Sequence, residues 1–205
     1  MPDLSTTSNL ITAIQSRRSL RRYQQQAIPK ALIEKVLDAG TWAPSAHNRQ
    51  PWRFAVLQTT NSKDTLARAM GKRLQADLER DYVPQAVIEK EVTRSYDRLT
   101  SAPVVIVVNL TMCDMDTYSD DLRNTNEHIM AIQSVAMAGQ NILLAAHSLG
   151  LAACWMCAPL FCPDVVQQIL NLPDDWQPQG IITMGYPAQE RSKTREPLET
   201  RILWR

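Results

Sequence analysis

Hydrophobic and polar positions along this chain follow two patterns, one typical of buried strands and the other of amphipathic helices. Short apolar runs predict strands at 53–58, 103–108, 151–156 and 180–186. The run at 103–108 contains five consecutive β-branched residues after its proline, so we expect it to be a central strand covered on both faces. The sequence therefore predicts a small sheet in the middle of the fold.

Apolar residues at helical spacing predict the helices that cover this sheet. In chain order they are a short helix that Asn9 caps, a helix that Pro29 opens and Gly40 ends, and helices at 62–80 (with Ser62 as the cap), 84–99, 126–148 and 163–170. The helix at 126–148 is apolar over more than one face, so it should be buried nearly all round. Residues 187–205 are charged and then apolar, which fits an edge strand or an arm laid on a partner.

The mixture of helices and strands contains no repeats and no obvious linkers, so we expect one α+β domain over residues 1–205. With 22 basic and 21 acidic side chains, the net charge of +1 gives no global field for nucleic acid or an anionic membrane. No apolar run reaches the length of about 18–20 residues that a membrane span needs. The polar start lacks the pattern of a secretory signal, so we expect a cytoplasmic protein.

The cysteines and histidines give little sign of metal or nucleophilic chemistry. Cys154 and Cys157 have the spacing of a zinc or dithiol pair, but no second pair of ligands with metal spacing accompanies them. We therefore interpret the cysteines as buried structural thiols and expect no metal. His47 is the one histidine beside a candidate ligand loop, and no carboxylate or nucleophile near it in sequence completes a triad. No catalytic side chain is predicted.

A dense group of arginines marks the first candidate site. Segment 17–22 contains four arginines and Ser19, which together could hold a phosphate, because the planar guanidinium supplies charge and paired donors. The alternative is a solvated basic helix end. A second basic group, Arg191, Lys193 and Arg195, could reach the same phosphate only if the two segments meet in the fold.

The second candidate site is a loop between two prolines, Pro44 and Pro51. Asn48 and Gln50 each offer a donor and an acceptor that could pair with the polar edge of a flavin. Alternatively, these amides satisfy backbone groups of the loop, which is the commoner role of asparagine. Trp52 is expected in the core. No P-loop or Gly-x-Gly-x-x-Gly motif occurs, which argues against a dinucleotide held in the Rossmann manner.

Five motifs, in order and spacing, resemble the nitroreductase family of flavin enzymes. They are Arg17-Arg18-Ser19, the loop from Ala43-Pro44-Ser45 through Asn48-Arg49-Gln50-Pro51-Trp52, Gly150-Leu151 with Trp155, Gly185-Tyr186-Pro187, and Arg195-Glu196-Pro197-Leu198. The likeness is greatest to the flavin-binding C-terminal domain of the bifunctional enzyme of coenzyme F420 biosynthesis. The resemblance implies an α-β-α sandwich with a mostly antiparallel sheet, a homodimer with a C-terminal arm on the partner, and FMN at the interface.

The resemblance also implies which residues bind FMN. They are Arg17, Arg18, Ser19, Arg21, Pro44, Ser45, Ala46, Asn48, Gln50, Met156, Cys157, Ala158, Lys193 and Arg195. Arg17, Lys193 and Arg195 would hold the phosphate, with Arg18 and Ser19 along the cofactor and Arg21 near the N1/O2 edge of the ring. Asn48 and Gln50 would approach the ring or ribityl chain, residues 44–46 would come from the other subunit, and the backbone at 156–158 would lie near N5.

Two positions depart from the family pattern. Many relatives have Pro-Ser-Ser where this chain has Pro44-Ser45-Ala46, which weakens one expected hydrogen bond. Many have an acidic residue and a glycine where this chain has Cys157-Ala158, which leaves the N5 contact to backbone N–H groups.

The implied function is ping-pong hydride transfer from NAD(P)H through FMN to a nitroaromatic, a quinone or a deazaflavin-type acceptor. Two alternatives remain open at this point. One is a flavin- or deazaflavin-binding protein without turnover. The other is an oxygen-dependent, flavin-cleaving relative of the same fold.

Overall fold

The fold is organised around a four-stranded sheet whose strand order is β1-β2-β4-β3. The structure is a computed structural model and describes residues 4–205. The strands are β1 (Trp52–Leu57), β2 (Val104–Leu110), β3 (Ala152–Met156) and β4 (Gln177–Gly185). All three strand pairings are antiparallel, which confirms the antiparallel sheet predicted through the family resemblance.

Six α-helices accompany the sheet in the described part of the chain. They are α1 (Leu4–Ser16), α2 (Lys30–Thr41), α3 (Thr60–Arg80), α4 (Gln85–Thr100), α5 (Asp121–Ser148) and α6 (Pro163–Leu170). Short 3-10 turns lie at Ala46–Asn48, Ala158–Phe161 and Leu198–Thr200.

The side chains of β2 divide the core into two layers, because successive residues of a strand point to opposite faces. Val104, Ile106 and Val108 pack on one face with residues of α2 and α5. Val105 and Val107 pack on the other face with residues of α3, α4 and α6. Every residue of β2 is buried, so the predicted central strand is confirmed and the fold is a helix–sheet–helix sandwich.

Helix starts differ from the prediction at three places. Asn9 lies inside α1 and does not cap it. Thr59 caps α3, since its Oγ1 accepts the Ser62 N–H at 3.2 Å, so Ser62 is inside the first turn. Asp120 caps α5 by accepting the Arg123 N–H at 2.9 Å, which starts this helix five residues before the predicted position. The caps Thr59 and Asp120 lie three residues before Ser62 and six residues before the predicted start at 126, and α1 begins before Asn9.

Helix α5 is not buried nearly all round in the described chain, contrary to the prediction. Val135, Ala138 and Ile142 are fully buried against the sheet, but Ile129 and Ile132 are 44% and 37% exposed. By length and composition α5 could also cross a membrane, a property that the core helix of a soluble protein shares. The helix therefore has one face in the core and an apolar face that the chain itself leaves open.

Two segments far apart in sequence are joined beside the sheet. Leu20 N–H donates to the Ala153 carbonyl at 3.3 Å, and Gln24 N–H donates to the Tyr186 carbonyl at 2.9 Å. The buried Tyr23 hydroxyl lies 2.7 Å from Thr183 Oγ1, which fixes the segment against β4. The arginine segment is thereby held next to the start of residues 187–205.

Residues 187–205, all of which the structure describes, form no strand. They contain a bridge at Pro187, a 3-10 turn at Leu198–Thr200 and otherwise irregular chain. The edge-strand alternative is therefore wrong. Leu203 and Trp204 are 73% and 82% exposed.

Candidate functional site

The basic groups of the two joined segments line a single cleft of about 180 Å³. We name this the arginine cleft; it is lined by Arg17, Arg18, Ser19, Arg21, Arg191, Lys193 and Arg195. The hydrogen bonds between 20–24 and the end of β4 explain why groups more than 170 positions apart converge here. The two basic segments, 17–22 and 191–195, therefore do meet in the fold, which the sequence alone had left open.

Three guanidinium nitrogen atoms of the arginine cleft lack hydrogen-bond partners among the residues that the structure describes. Within residues 4–205, Arg17 Nη1, Arg18 Nε and Arg21 Nε are buried and have no hydrogen-bond partner. Burial lowers the pKa of Arg17, and the neighbouring charges of Arg195 and Arg18 lower it further. Buried, unpaired donors that repel one another are unfavourable without a counter-ion, so the cleft is suited to an anion with several oxygens.

His147, near the end of α5, lies beside the arginine cleft. Its Nε2 is 2.8 Å from Ser16 Oγ, and it lines an adjoining cavity of about 380 Å³ with Arg17 and Arg18. Burial lowers the pKa of His147, and the charges of Arg17 and Arg18 add to this effect. The imidazole is therefore a neutral hydrogen-bonding group and adds no positive charge to the cleft near neutral pH.

Met156, Cys157 and Ala158 lie at the end of β3, on a second cavity of about 270 Å³. Helix α4 contributes Arg98 to this cavity, and burial lowers the pKa of Arg98, with Arg94 and Arg21 acting in the same direction. Arg21, which lines the arginine cleft, also lines a further cavity together with Arg98. Sequence reasoning missed Arg98, because nothing in its helix distinguishes it from the other exposed charges.

Trp155 holds the end of β3 in place between two glycines. A Cβ atom at Gly139 or Gly180 would lie 2.5 Å or 2.4 Å from the Trp155 ring. The close approach of α5 and β4 to this indole therefore requires glycine at both positions. The Trp155 Nε1–H donates to Cys157 Sγ at 3.1 Å.

The cysteine prediction is correct for two residues and wrong for two. Cys154 and Cys162 are buried, and burial raises the pKa of both thiols. Cys113 and Cys157 are exposed, because each follows the end of a strand where the chain turns away from the core. The buried thiols are thus protonated side chains of the core.

The loop at 44–50 is held by its own polar groups and by α5. Ala46 N–H donates to Ser134 Oγ at 3.3 Å, and Gln50 N–H donates to Ser45 Oγ at 3.0 Å. His47, Asn48 and Gln50 have φ values of 51°, 54° and 53°, a left-handed conformation that costs energy in residues other than glycine. Three such residues in four positions mark a loop whose shape is strongly determined.

The Asn48 and Gln50 side chains are exposed and lie close to each other. Gln50 Nε2 donates to the Asn48 carbonyl at 3.4 Å and lies 3.5 Å from Asn48 Oδ1. Both contacts are long, so each amide retains capacity for another partner. Trp52, by contrast, is 5% exposed and belongs to the core, as predicted.

The loop and the arginine cleft do not meet within one chain. The loop contacts α5 at Ser134, whereas the cavity adjoining the cleft contacts α5 at Leu143 and His147. Thirteen residues of helix separate Ser134 from His147, which is about 20 Å at 1.5 Å per residue. The structure thus brings together residues 17–21 and 193–195 and leaves 44–50 apart. Residues 156–158 line a cavity with Arg98, and Arg98 lines another cavity with Arg21.

Comparison with known proteins gives concordant matches over most of the chain. A family model described as "Nitroreductase family" matches residues 14–186. A candidate NADH dehydrogenase/NAD(P)H nitroreductase of Methanothermobacter thermautotrophicus is 31% identical over 88% of this chain and 78% of its own. An NADH dehydrogenase of Thermus thermophilus is 29% identical over 95% of both chains.

A solved structure shares the same architecture. The crystal structure of a candidate nitroreductase of Desulfovibrio desulfuricans in complex with FMN is 28% identical, with a TM-score of 0.74 over 96% of both chains.

Proposed function

This chain belongs to the nitroreductase family, and on that premise we propose that it is an FMN-dependent oxidoreductase. The enzyme takes hydride from NAD(P)H and passes it to a small-molecule electron acceptor. The observation that carries the proposal is the arginine cleft, where buried guanidinium nitrogens without partners surround a volume of about 180 Å³.

The phosphate of FMN occupies the arginine cleft in this proposal. A phosphate monoester near neutral pH carries close to two negative charges and three strong acceptor oxygens. Arg17, Lys193 and Arg195 supply the charge, and the unpartnered Arg17 Nη1 supplies a buried donor. Arg18 and Ser19 line the same cleft and continue the contact along the cofactor.

The flavin ring is proposed to lie toward Met156, Cys157 and Ala158. Arg21 lines the arginine cleft and shares a further cavity with Arg98, which lines the cavity at Met156, Cys157 and Ala158. A cationic group near the ring favours the electron-rich form of the cofactor, which tunes its potential. Arg21 is proposed for this role, and Arg98 joins it as a residue that the sequence did not indicate.

Bound FMN would supply the redox chemistry by accepting and returning a hydride. The residues of the chain anchor the phosphate, set the local charge and shape the slot above the ring. NAD(P)H and the acceptor use that slot in turn, which is a ping-pong scheme. This division of labour explains how a chain with no predicted catalytic side chain can be an enzyme.

A homodimer completes the site in this proposal. Apolar side chains stand exposed on α1 (Leu10, Ile11, Ile14), on α5 (Ile129, Ile132, Met137) and in the C-terminal segment (Ile202, Leu203, Trp204). Such groups are typical of a surface that another chain covers. The loop at 44–50, with Asn48 and Gln50, then reaches the cofactor of the partner subunit, and the C-terminal segment is the arm that lies on that subunit.

The acceptor is proposed to be a nitroaromatic, a quinone or a deazaflavin-type compound, and the enzyme to work in the cytoplasm. The first test is the visible absorption spectrum of the purified protein. We expect flavin bands that bleach on addition of NAD(P)H under argon and return with an acceptor. A colourless protein that does not bind added FMN would overturn the proposal.

The same experiment separates the alternatives. A flavin-binding protein without turnover keeps its bands when NAD(P)H is added. A flavin-cleaving enzyme loses them irreversibly in air and yields a new product.

A further inference from the structure

We propose that His47, Asp116 and Glu127 form a binding site for a divalent transition-metal ion. Each residue offers one ligand atom, and the three atoms lie within 4.8 Å of one another. Glu127 Oε1 is 4.0 Å from His47 Nε2. The three residues come from the 44–50 loop, from the segment after β2 and from α5, so no spacing motif in the sequence could have revealed them.

Glu127 is the observation that points most directly to a cation. This carboxylate is 1% exposed, and within residues 4–205 its Oε2 has no hydrogen-bond partner. Its Oε1 receives only a long hydrogen bond, 3.4 Å, from the Tyr118 hydroxyl. A buried carboxylate with an open oxygen is costly unless a positive group compensates it.

The two arginines near this cluster do not pair with Glu127. Arg49 forms an ion pair with Oδ1 of Asp116, a member of the cluster, so a bound metal would share Asp116 with Arg49. Arg123 pairs with Asp120 and lies 4.7 Å above the centre of the Tyr118 ring. Glu127 therefore faces His47 as its nearest potential cation, and an imidazole beside two carboxylates is also a ligand set for a metal.

The three ligand atoms would have to move closer together to hold a metal. Zinc-type bonds of about 2.0–2.2 Å at tetrahedral angles place neighbouring ligand atoms about 3.4 Å apart. The separation of 4.0 Å between His47 and Glu127 would have to close by roughly 0.6 Å, and a separation at the 4.8 Å limit of the cluster by roughly 1.4 Å. The His47 side chain is 55% exposed, so it can move and water can complete the coordination. One nitrogen and two carboxylate oxygens suit Zn²⁺, Mn²⁺ or Fe²⁺.

The backbone of the loop gives the site a structural purpose. His47 and Asn48 both hold left-handed conformations, with φ of 51° and 54°. A metal bound to His47 would anchor this strained turn to α5 through Glu127. None of the three ligands lies in the arginine cleft.

Mn²⁺ is the probe of choice, because the exposed Cys113 and Cys157 could capture Zn²⁺. The full-length protein is stripped with EDTA, dialysed and titrated while free Mn²⁺ is followed by its EPR signal. We expect one Mn²⁺ per chain. At about 100 times Kd, the melting temperature should rise by roughly 5–10 °C.

Three variants decide the assignment. H47Q and E127Q should each weaken Mn²⁺ binding at least tenfold, whereas H128Q, next to Glu127 but bonded to Gln177, should bind as the wild type does. His47 is exposed, so H47Q tests the site even if E127Q fails to fold. Equal Mn²⁺ affinity in H47Q and wild type, or no binding by the wild type up to millimolar Mn²⁺, overturns the proposal.

Discussion

The arginine cleft and the 44–50 loop were both predicted as cofactor-binding segments, yet the fold treats them in opposite ways. The cleft draws Arg17 and Lys193 together within one chain and buries unpaired donors there. The loop keeps Asn48 and Gln50 exposed and is held mainly by its own hydrogen bonds. The charged half of the proposed site, the arginine cleft, is thus formed within one chain. The neutral half, the loop with Asn48 and Gln50, is exposed and is proposed to act on a partner subunit.

Removing a charge from the cleft should have the largest effect. Arg17→Ala deletes the proposed charge-assisted contact with the phosphate, worth about 1.5–3 kcal/mol, so FMN should bind roughly 10- to 150-fold more weakly. Quenching of FMN fluorescence measures this affinity. Arg22→Ala is the matched control, since Arg22 is exposed and does not line the arginine cleft. Equal FMN affinity in the two variants would show that the phosphate does not bind in the arginine cleft.

Changing the loop should have a smaller effect, because its contacts are neutral. Gln50→Ala removes the proposed hydrogen bond from the loop to the cofactor. A neutral hydrogen bond is worth about 0.5–1.5 kcal/mol, so the affinity for FMN should fall roughly 2- to 13-fold. Gln58→Ala, an exposed glutamine just after β1, serves as the control. A loss as great as that of Arg17→Ala would contradict the division between a charged and a neutral half.

Mixing variants tests whether the two halves belong to different subunits. Arg17→Ala and a variant with both Asn48→Ala and Gln50→Ala are unfolded and refolded together in equal amounts. If the loop acts across a twofold interface, mixed dimers hold one undamaged site, so about a quarter of all sites should regain wild-type affinity for FMN. No recovery, measured by flavin retained after gel filtration, would place both halves in the same subunit.

A modest pH effect on stability should arise from His147, beside the arginine cleft. Burial and the arginines hold the pKa of His147 below its ordinary value of 6.5. As pH falls through 6.5, the unfolded chain takes up a proton that folded His147 still refuses, so stability decreases with falling pH. Urea midpoints at pH 7.5 and 5.5 should show a smaller decrease for His147→Gln than for the wild type. A larger decrease in the variant would contradict this assignment.

The sequence correctly predicted elements that are buried on both faces or that begin at a residue typical of a helix start. Strand β2 was found because both faces are covered, and α6 because Pro163 starts it. Helix α5 was misjudged in two ways: its polar first turn after Asp120 hid its start, and its apolar outer face was taken for core. An apolar face in the sequence indicates that the face is covered, but the sequence does not indicate whether the same chain or another chain covers it.

The candidate site divides along the same line. The arginines of 17–22 could be recognised in the sequence because four of them occur within six positions. They line one cleft with Lys193 and Arg195 because hydrogen bonds beside the sheet join the two segments. Arg98 and Glu127 were missed because each is one of several charged residues on its helix, with no local feature to distinguish it. Only the tertiary packing reveals that Arg98 lines a cavity with Arg21 and that Glu127 is buried.

The bridge between segment 19–24 and the residues that follow β4 also bears on biosynthesis. On a ribosome, the arginines emerge early, but the wall that closes their cleft appears only after residue 195 has been made. A nascent chain must therefore keep several cations unpaired while most of the fold assembles around them. Cofactor binding is then expected late in folding, after segment 17–22 and the residues that follow β4 have come into contact.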